Sequence, residues 1–159
     1  MGLDMYLTAE KSLYSSEHHN NPLADAVNAA ITKHFAAQGS EFPVGTINNG
    51  IGGAIKLCAA YWRKANAIHG WFVEHVQNGN DDCGAYYVSR EQLLELQKLC
   101  RGVLDGSSKK EDLPPTEGFF FGSVTDDEWY RSDLQDTVVQ IDIALKLPTD
   151  WDFEYHSSW

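Results

Sequence analysis

The apolar positions change period several times along the chain, and each change predicts an element. From residue 3 to residue 8 they alternate, with Leu3, Met5 and Leu7 on one side and Asp4, Tyr6 and Thr8 on the other, which is the period of a half-buried strand. The polar run SSEHHNN ends at Asn21, and Asn21 followed by Pro22 suits an N-cap and a first helical position. Leu23, Val27, Ala30, Ile31 and Phe35 then recur at helical spacing up to Gly39, an amphipathic helix. Gly45, Gly50, Gly52 and Gly53 interrupt Val44, Ile47, Ile51 and Ile55, which predicts a hairpin or irregular loop leading into a strand or helix start near Ala54 to Ala60.

The stretch Tyr61 to Val76, YWRKANAIHGWFVEHV, reads as a helix closed by Asn78, Gly79 and Asn80. A short strand follows at Ala85 to Val88. Ser89 with Gln92 three residues on makes a capping-box pattern, ahead of an apolar stripe of Leu93, Leu96, Cys100 and Val103, with Leu99 beside it, that stops at Gly106. Residues 105–118, DGSSKKEDLPPTEG, read as a surface loop, and Phe119 to Phe121 as a short buried strand. Tyr130, Leu134, Val138, Ile141 and Leu145 mark a last helix closed by Pro148, and Trp151 to Tyr155 alternate as a strand. Helices and short strands in mixed order, without a repeated strand-helix-strand period, predict an α+β fold: one compact domain, residues 1–159, with about four helices on a small mixed or antiparallel sheet.

On a helix over 61–76, Ala65, Ile68, Phe72 and Val76 share the core face and Arg63, Ala67, Gly70 and Glu74 the opposite one. One edge carries Trp62, Asn66 and His69, and the other Lys64, Trp71 and His75. Each edge joins an aromatic plate to hydrogen-bonding groups, a mixture that can stack a planar ring and hold an anion, or can simply roof the core. Trp62, Arg63, Asn66 and His69, with Tyr86 or Tyr87, are therefore the candidate ligand-binding set for a nucleotide-like molecule. His69 or His75 could serve as a general base, with Asp82 or Asp4 as partner to His69, but no nucleophile stands at a motif-defined spacing. His18 and His19 are adjacent and lack HExxH or Cys/His spacing, so no metal site is expected, and no cofactor is implied. Dinucleotide-binding and P-loop glycine patterns are absent, since Ile55 stands where the third glycine of the first would be.

Charge alters this picture more than composition does. The formal net charge is −11, and residues 76 to 159 hold seventeen acidic against seven basic side chains, whereas residues 1 to 75 are nearly balanced. Such a surface repels a phosphate backbone, so duplex DNA binding is not expected. An acidic face can instead occupy the nucleic-acid groove of another protein, and Asp126, Asp127, Glu128, Asp133 and Asp136 form the densest acidic stretch for that role; the same acidity also serves solubility. Cys58, Cys83 and Cys100 are an odd set without a CxxC pair, no basic-then-apolar leader is seen, and no apolar run approaches a bilayer span. Free thiols, a cytoplasmic location and no membrane anchor are expected; a myristoylation signal would need Ser or Thr where Tyr6 stands.

The opening MGLDMYL, the segment YWRKANAIHGWFV, the block DDCGAYYVSREQL, GFFFGS and the final HSSW together resemble an uncharacterised family of bacteriophage, prophage and bacterial proteins. The resemblance implies a phage-associated accessory protein and brings no activity or catalytic residues. The expectation that follows is a binder interfering with a host factor, in the manner of an anti-defence inhibitor. The alternatives are a sponge for a nucleotide-like signal and an enzyme on a nucleotide or phosphorylated substrate.

Overall fold

The computed structural model describes residues 2–14, 20–39, 53–117 and 127–159. Among them the chain forms four α-helices and a four-stranded antiparallel sheet, an α+β fold. In order these are β1 (Asp4–Leu13), α1 (Pro22–Ala37), β2 (Gly53–Arg63), α2 (Asn66–His75), β3 (Tyr86–Val88), α3 (Arg90–Asp105), α4 (Asp127–Ala144) and β4 (Asp152–Ser158), with strand order β2-β1-β4-β3. The chain falls into two compact units, one of Met1–Ala9 with Leu57–Trp159 and one of Glu10–Lys56.

In the larger unit the two-residue period of the strands sorts the side chains. Met5, Leu7 and Ala9 of β1 and Phe153 and Tyr155 of β4 are buried, joined by Trp62 of β2 and Val88 of β3. The intervening residues are partly or fully exposed. In the register of the last pair, Tyr86 faces Tyr155 and Val88 faces Phe153.

The helices show why they start and stop where they do. Ser89 caps α3 reciprocally with Gln92, as the capping box predicts, and Gly106 ends it at φ 84°, a left-handed conformation natural to glycine. The stripe Leu93, Leu96 and Cys100 is buried against α4, and Gln97 donates to the Val138 carbonyl and the Asp142 carboxylate at 3.1 and 2.8 Å. Arg90 donates to the Leu145 and Leu147 carbonyls, satisfying acceptors that the end of α4 leaves open, and its guanidinium stands 5.2 Å from the Phe153 ring centre. Between α3 and α4, Lys110–Asp112 form a 3-10 turn and Leu113 is buried, its carbonyl accepting the Tyr130 hydroxyl at 2.8 Å.

In the smaller unit Asn21 caps α1 through the Ala24 amide with Pro22 in the first turn. Leu13 and Ala24 form a second core with Val27 and Ile55, and Lys56 pairs with Glu10 at 2.8 Å.

One element differs from its sequence reading. Tyr61 to Arg63 do not begin a helix; they end β2, and α2 starts only at Asn66. Lys64 turns the chain between the two with φ 59°, its amide donating to the Leu3 carbonyl at 2.8 Å. The apolar spacing over 61–76 fits a helix, but two residues of turn separate a strand end from a helix start, and no glycine or proline announces them. The strand predicted at Phe119 to Phe121, the glycine-rich stretch 44–52 and His18 and His19 lie outside the described residues.

Candidate functional site

The core stripe Ala65, Ile68, Phe72 and Val76 is buried as its spacing predicts, but so are the positions flanking it. Trp62 is 3% exposed, tilts against Phe72 and donates its indole N–H to the Thr137 hydroxyl at 2.9 Å. Asn66 and Trp71 are buried as well, and His69 is fully so. Only Lys64 and His75 reach solvent, and His75 lies flat on Trp71 with ring centres 4.7 Å apart. The edge of Trp62, Asn66 and His69 thus belongs to the interior, and of the other edge only Trp71 does. Arg63 and Tyr87 are exposed and Tyr86 is half-buried, so the six candidate ligand residues do not converge on one open surface.

What the structure does assemble is a hydrogen-bond chain around His69. Its Nε2 lies 3.1 Å from Asp81 Oδ2, and its Nδ1 lies 2.8 Å from the Tyr155 hydroxyl. An ionised carboxylate only accepts, so Nε2 carries a proton; in the tautomer with that one ring proton, Nδ1 accepts from Tyr155. The other carboxylate oxygen of Asp81 accepts the Trp159 indole N–H at 3.1 Å, which ties down the end of the described chain. Burial, and after it the charges of Asp81 and Cys83, push the Tyr155 hydroxyl far above the ordinary tyrosine range, so it remains a proton donor. Phe72 stacks on the Tyr155 ring at 3.9 Å and closes the site.

This corrects the pairing expected for His69, whose carboxylate is neither Asp82 nor Asp4. Asp82 instead accepts the Gly84 amide at 2.8 Å and the Tyr86 hydroxyl at 3.0 Å, contacts that hold its carboxyl below the usual range. Asp4 accepts the Tyr61 hydroxyl and raises that phenol. Asp81 and Tyr155 went unrecognised as partners of His69 because they come from a turn and a strand 12 and 86 residues on, with no motif linking them. With both ring nitrogens engaged and the ring out of solvent, His69 offers no free lone pair to a substrate; its chain works as a brace. Among the described residues no group of three or more His, Cys, Asp or Glu side chains is placed to hold a metal ion.

The acidic candidates lie elsewhere. Asp126 is outside the described residues and Asp127 opens α4. Glu128 and Asp136 are exposed, whereas Asp133 is half-buried, and burial with the nearby Asp136 pushes its carboxyl up to about 6. Trp129 is 71% exposed, Val139 56% and Ile143 57%. At 100° per residue, Trp129, Asp136 and Ile143 stand within one narrow strip of α4, with Asp133 and Val139 on its borders. Val139 also lines a shallow groove of about 430 Å³ with Val138 and Gln135 of α4 and Arg101, Leu104 and Asp105 of α3.

Fold and site together define an α+β protein with a braced aromatic interior and an acidic, partly apolar helix face. Compared with protein-family models, curated proteins and solved structures, the chain matches none. Among the described residues no helix is long and apolar enough to cross a membrane.

Proposed function

We propose that the chain is a phage-associated accessory protein that binds a basic host protein and occupies the surface where that protein would hold nucleic acid. The observation that carries the reading is the outer strip of α4, where a tryptophan 71% exposed stands with Ile143, 57% exposed, around the carboxylate of Asp136. A large exposed aromatic is costly to leave in water and is the residue type most often found at the energetic centre of an interface. Carboxylates around it favour a cationic partner, and the net charge of −11 speeds approach to such a partner while repelling nucleic acid itself. A nucleotide sponge built on Trp62, Asn66 and His69 has no such support, because these side chains are buried and serve the core.

The reading is tested by capture from host lysate with the tagged chain and with a Trp129→Ala, Asp136→Lys variant, followed by competition with DNA or RNA. The expected partner is a nucleic-acid-binding protein that DNA or RNA displaces and that the variant binds about thirtyfold more weakly, the loss of one interfacial tryptophan anchor. Equal capture by both forms, or capture indifferent to nucleic acid, would overturn it.

A further inference from the structure

The sheet of the larger unit has a second side that the helix face does not involve. There His156 of β4 lies flat on Tyr6 of β1, with ring centres 4.9 Å apart and planes 14° from parallel. Tyr6 in turn meets Tyr61 of β2 at 5.2 Å, and the Tyr61 hydroxyl is held by Asp4. Three rings therefore run across three neighbouring strands at about the spacing of the strands themselves. Two residues before His156 on the same side of β4 is Glu154, which faces Tyr87 of β3 in register, and Tyr87 is 66% exposed. Among the described residues Glu154 makes no ion pair.

His156 uses one ring face on Tyr6, on the β1 side. On the side of β4 away from β1 the next strand is β3, where Tyr87 pairs with Glu154, two residues before His156 on β4. We propose that this sheet face reads an arginine of a cationic polypeptide, the guanidinium lying on the ring face of His156 opposite Tyr6 and donating to the Glu154 carboxylate. A guanidinium is planar, stacks on rings, is weakly hydrated for a cation and presents parallel N–H donors to a carboxylate, so it matches both groups at once. A nucleobase would stack equally well, but its phosphate would meet Glu154 and Asp4 in the field of a chain of net charge −11. Arg63 sits on β2, with β1 between it and β4. The inference shares with the proposed function a cationic partner and uses a different surface.

The test is fluorescence anisotropy of the full chain with a labelled peptide carrying three arginines, its lysine counterpart and labelled AMP, at about pH 8. The arginine peptide is expected to bind, the lysine peptide about fivefold more weakly and AMP not at all. His156→Ala should weaken the arginine peptide about threefold and, with Glu154→Gln, about tenfold. An unchanged thermal melt and the conservative Glu154→Gln variant alone separate recognition from folding. Equal binding of both peptides would reduce the effect to net charge and overturn the proposal, as would displacement of the peptide by AMP. Loss of the arginine peptide in Trp129→Ala with full binding in His156→Ala would overturn the sheet site while leaving the α4 reading standing. Sheet-site binding that survives Trp129→Ala, with no host partner lost in that variant, would do the reverse.

Discussion

His69 and Tyr155, 86 residues apart in the chain, meet at 2.8 Å in the interior, and the tyrosine hydroxyl supplies the proton that His69 Nδ1 needs. Tyr155→Phe keeps the stack on Phe72 and removes only that hydroxyl. It leaves a fully buried ring nitrogen unpaired, because Asp81 fixes the proton on the opposite nitrogen. The expected cost is about 1–3 kcal/mol, the desolvation of one buried acceptor, read as a lower urea midpoint with an unchanged slope. An unaltered midpoint would mean that the chain through His69 contributes nothing to stability.

Asp133 gives the fold a pH dependence of defined sign. Burial, with the charge of Asp136 second, raises its carboxyl from 3.8 to about 6 in the folded chain. The folded state then binds a proton that the unfolded state has released, so this residue's contribution is fully present below about pH 4 and is lost as pH rises through about 6. Asp133→Asn removes the penalty of a half-buried charge and should stabilise the chain above that range by about 1 kcal/mol, a figure already reduced for solvent screening. Denaturation midpoints of the two forms should converge as the pH is lowered from neutrality through that window. A constant gap at every pH would place the effect elsewhere than in the titration.

The three cysteines separate by surroundings. Cys100 lies on the inner face of α3 with its thiol pushed up to about 12 by burial, whereas Cys58 and Cys83 are exposed. A thiol-specific chromogenic reagent should therefore modify two groups rapidly in the native chain and the third only on unfolding, since the thiolate is the reacting form. Rapid reaction of all three in the folded protein would contradict the packing of α3 on α4.

Where periodicity decides the fold, the sequence is readable. The alternation of Leu3, Met5 and Leu7, the Asn21 cap, the Ser89 capping box and the stop at Gly106 all appear in the structure, because each is a local preference that tertiary packing also favours. The site is legible only in part. Trp62, Asn66 and His69 stand out as polar and aromatic residues at a core boundary, but whether such residues face solvent depends on what packs over them, and Thr137, Tyr155 and Asp81 come from distant segments. The sheet's aromatic row was equally hidden, since Tyr6, Tyr61 and His156 become neighbours only through strand order.

Lys64 marks the point where periodicity failed, and it offers the most local test of the strand-to-helix turn. Its φ of 59° places a side-chain-bearing residue in the left-handed region, where Cβ crowds the following carbonyl at a cost of about 1–2 kcal/mol. Glycine removes that cost and keeps the amide that donates to Leu3, but it also frees the unfolded chain by about 0.5–1 kcal/mol. Lys64→Gly should therefore be more stable than the native chain by about 0.5–1 kcal/mol. Lys64→Val should be less stable, because a β-branched residue tolerates positive φ worst. The order Gly, Lys, Val in denaturation midpoint follows from a turn at this residue. A continuous helix through Tyr61 to Val76 would give the opposite place to glycine, which in a helix interior lowers stability by about 1 kcal/mol.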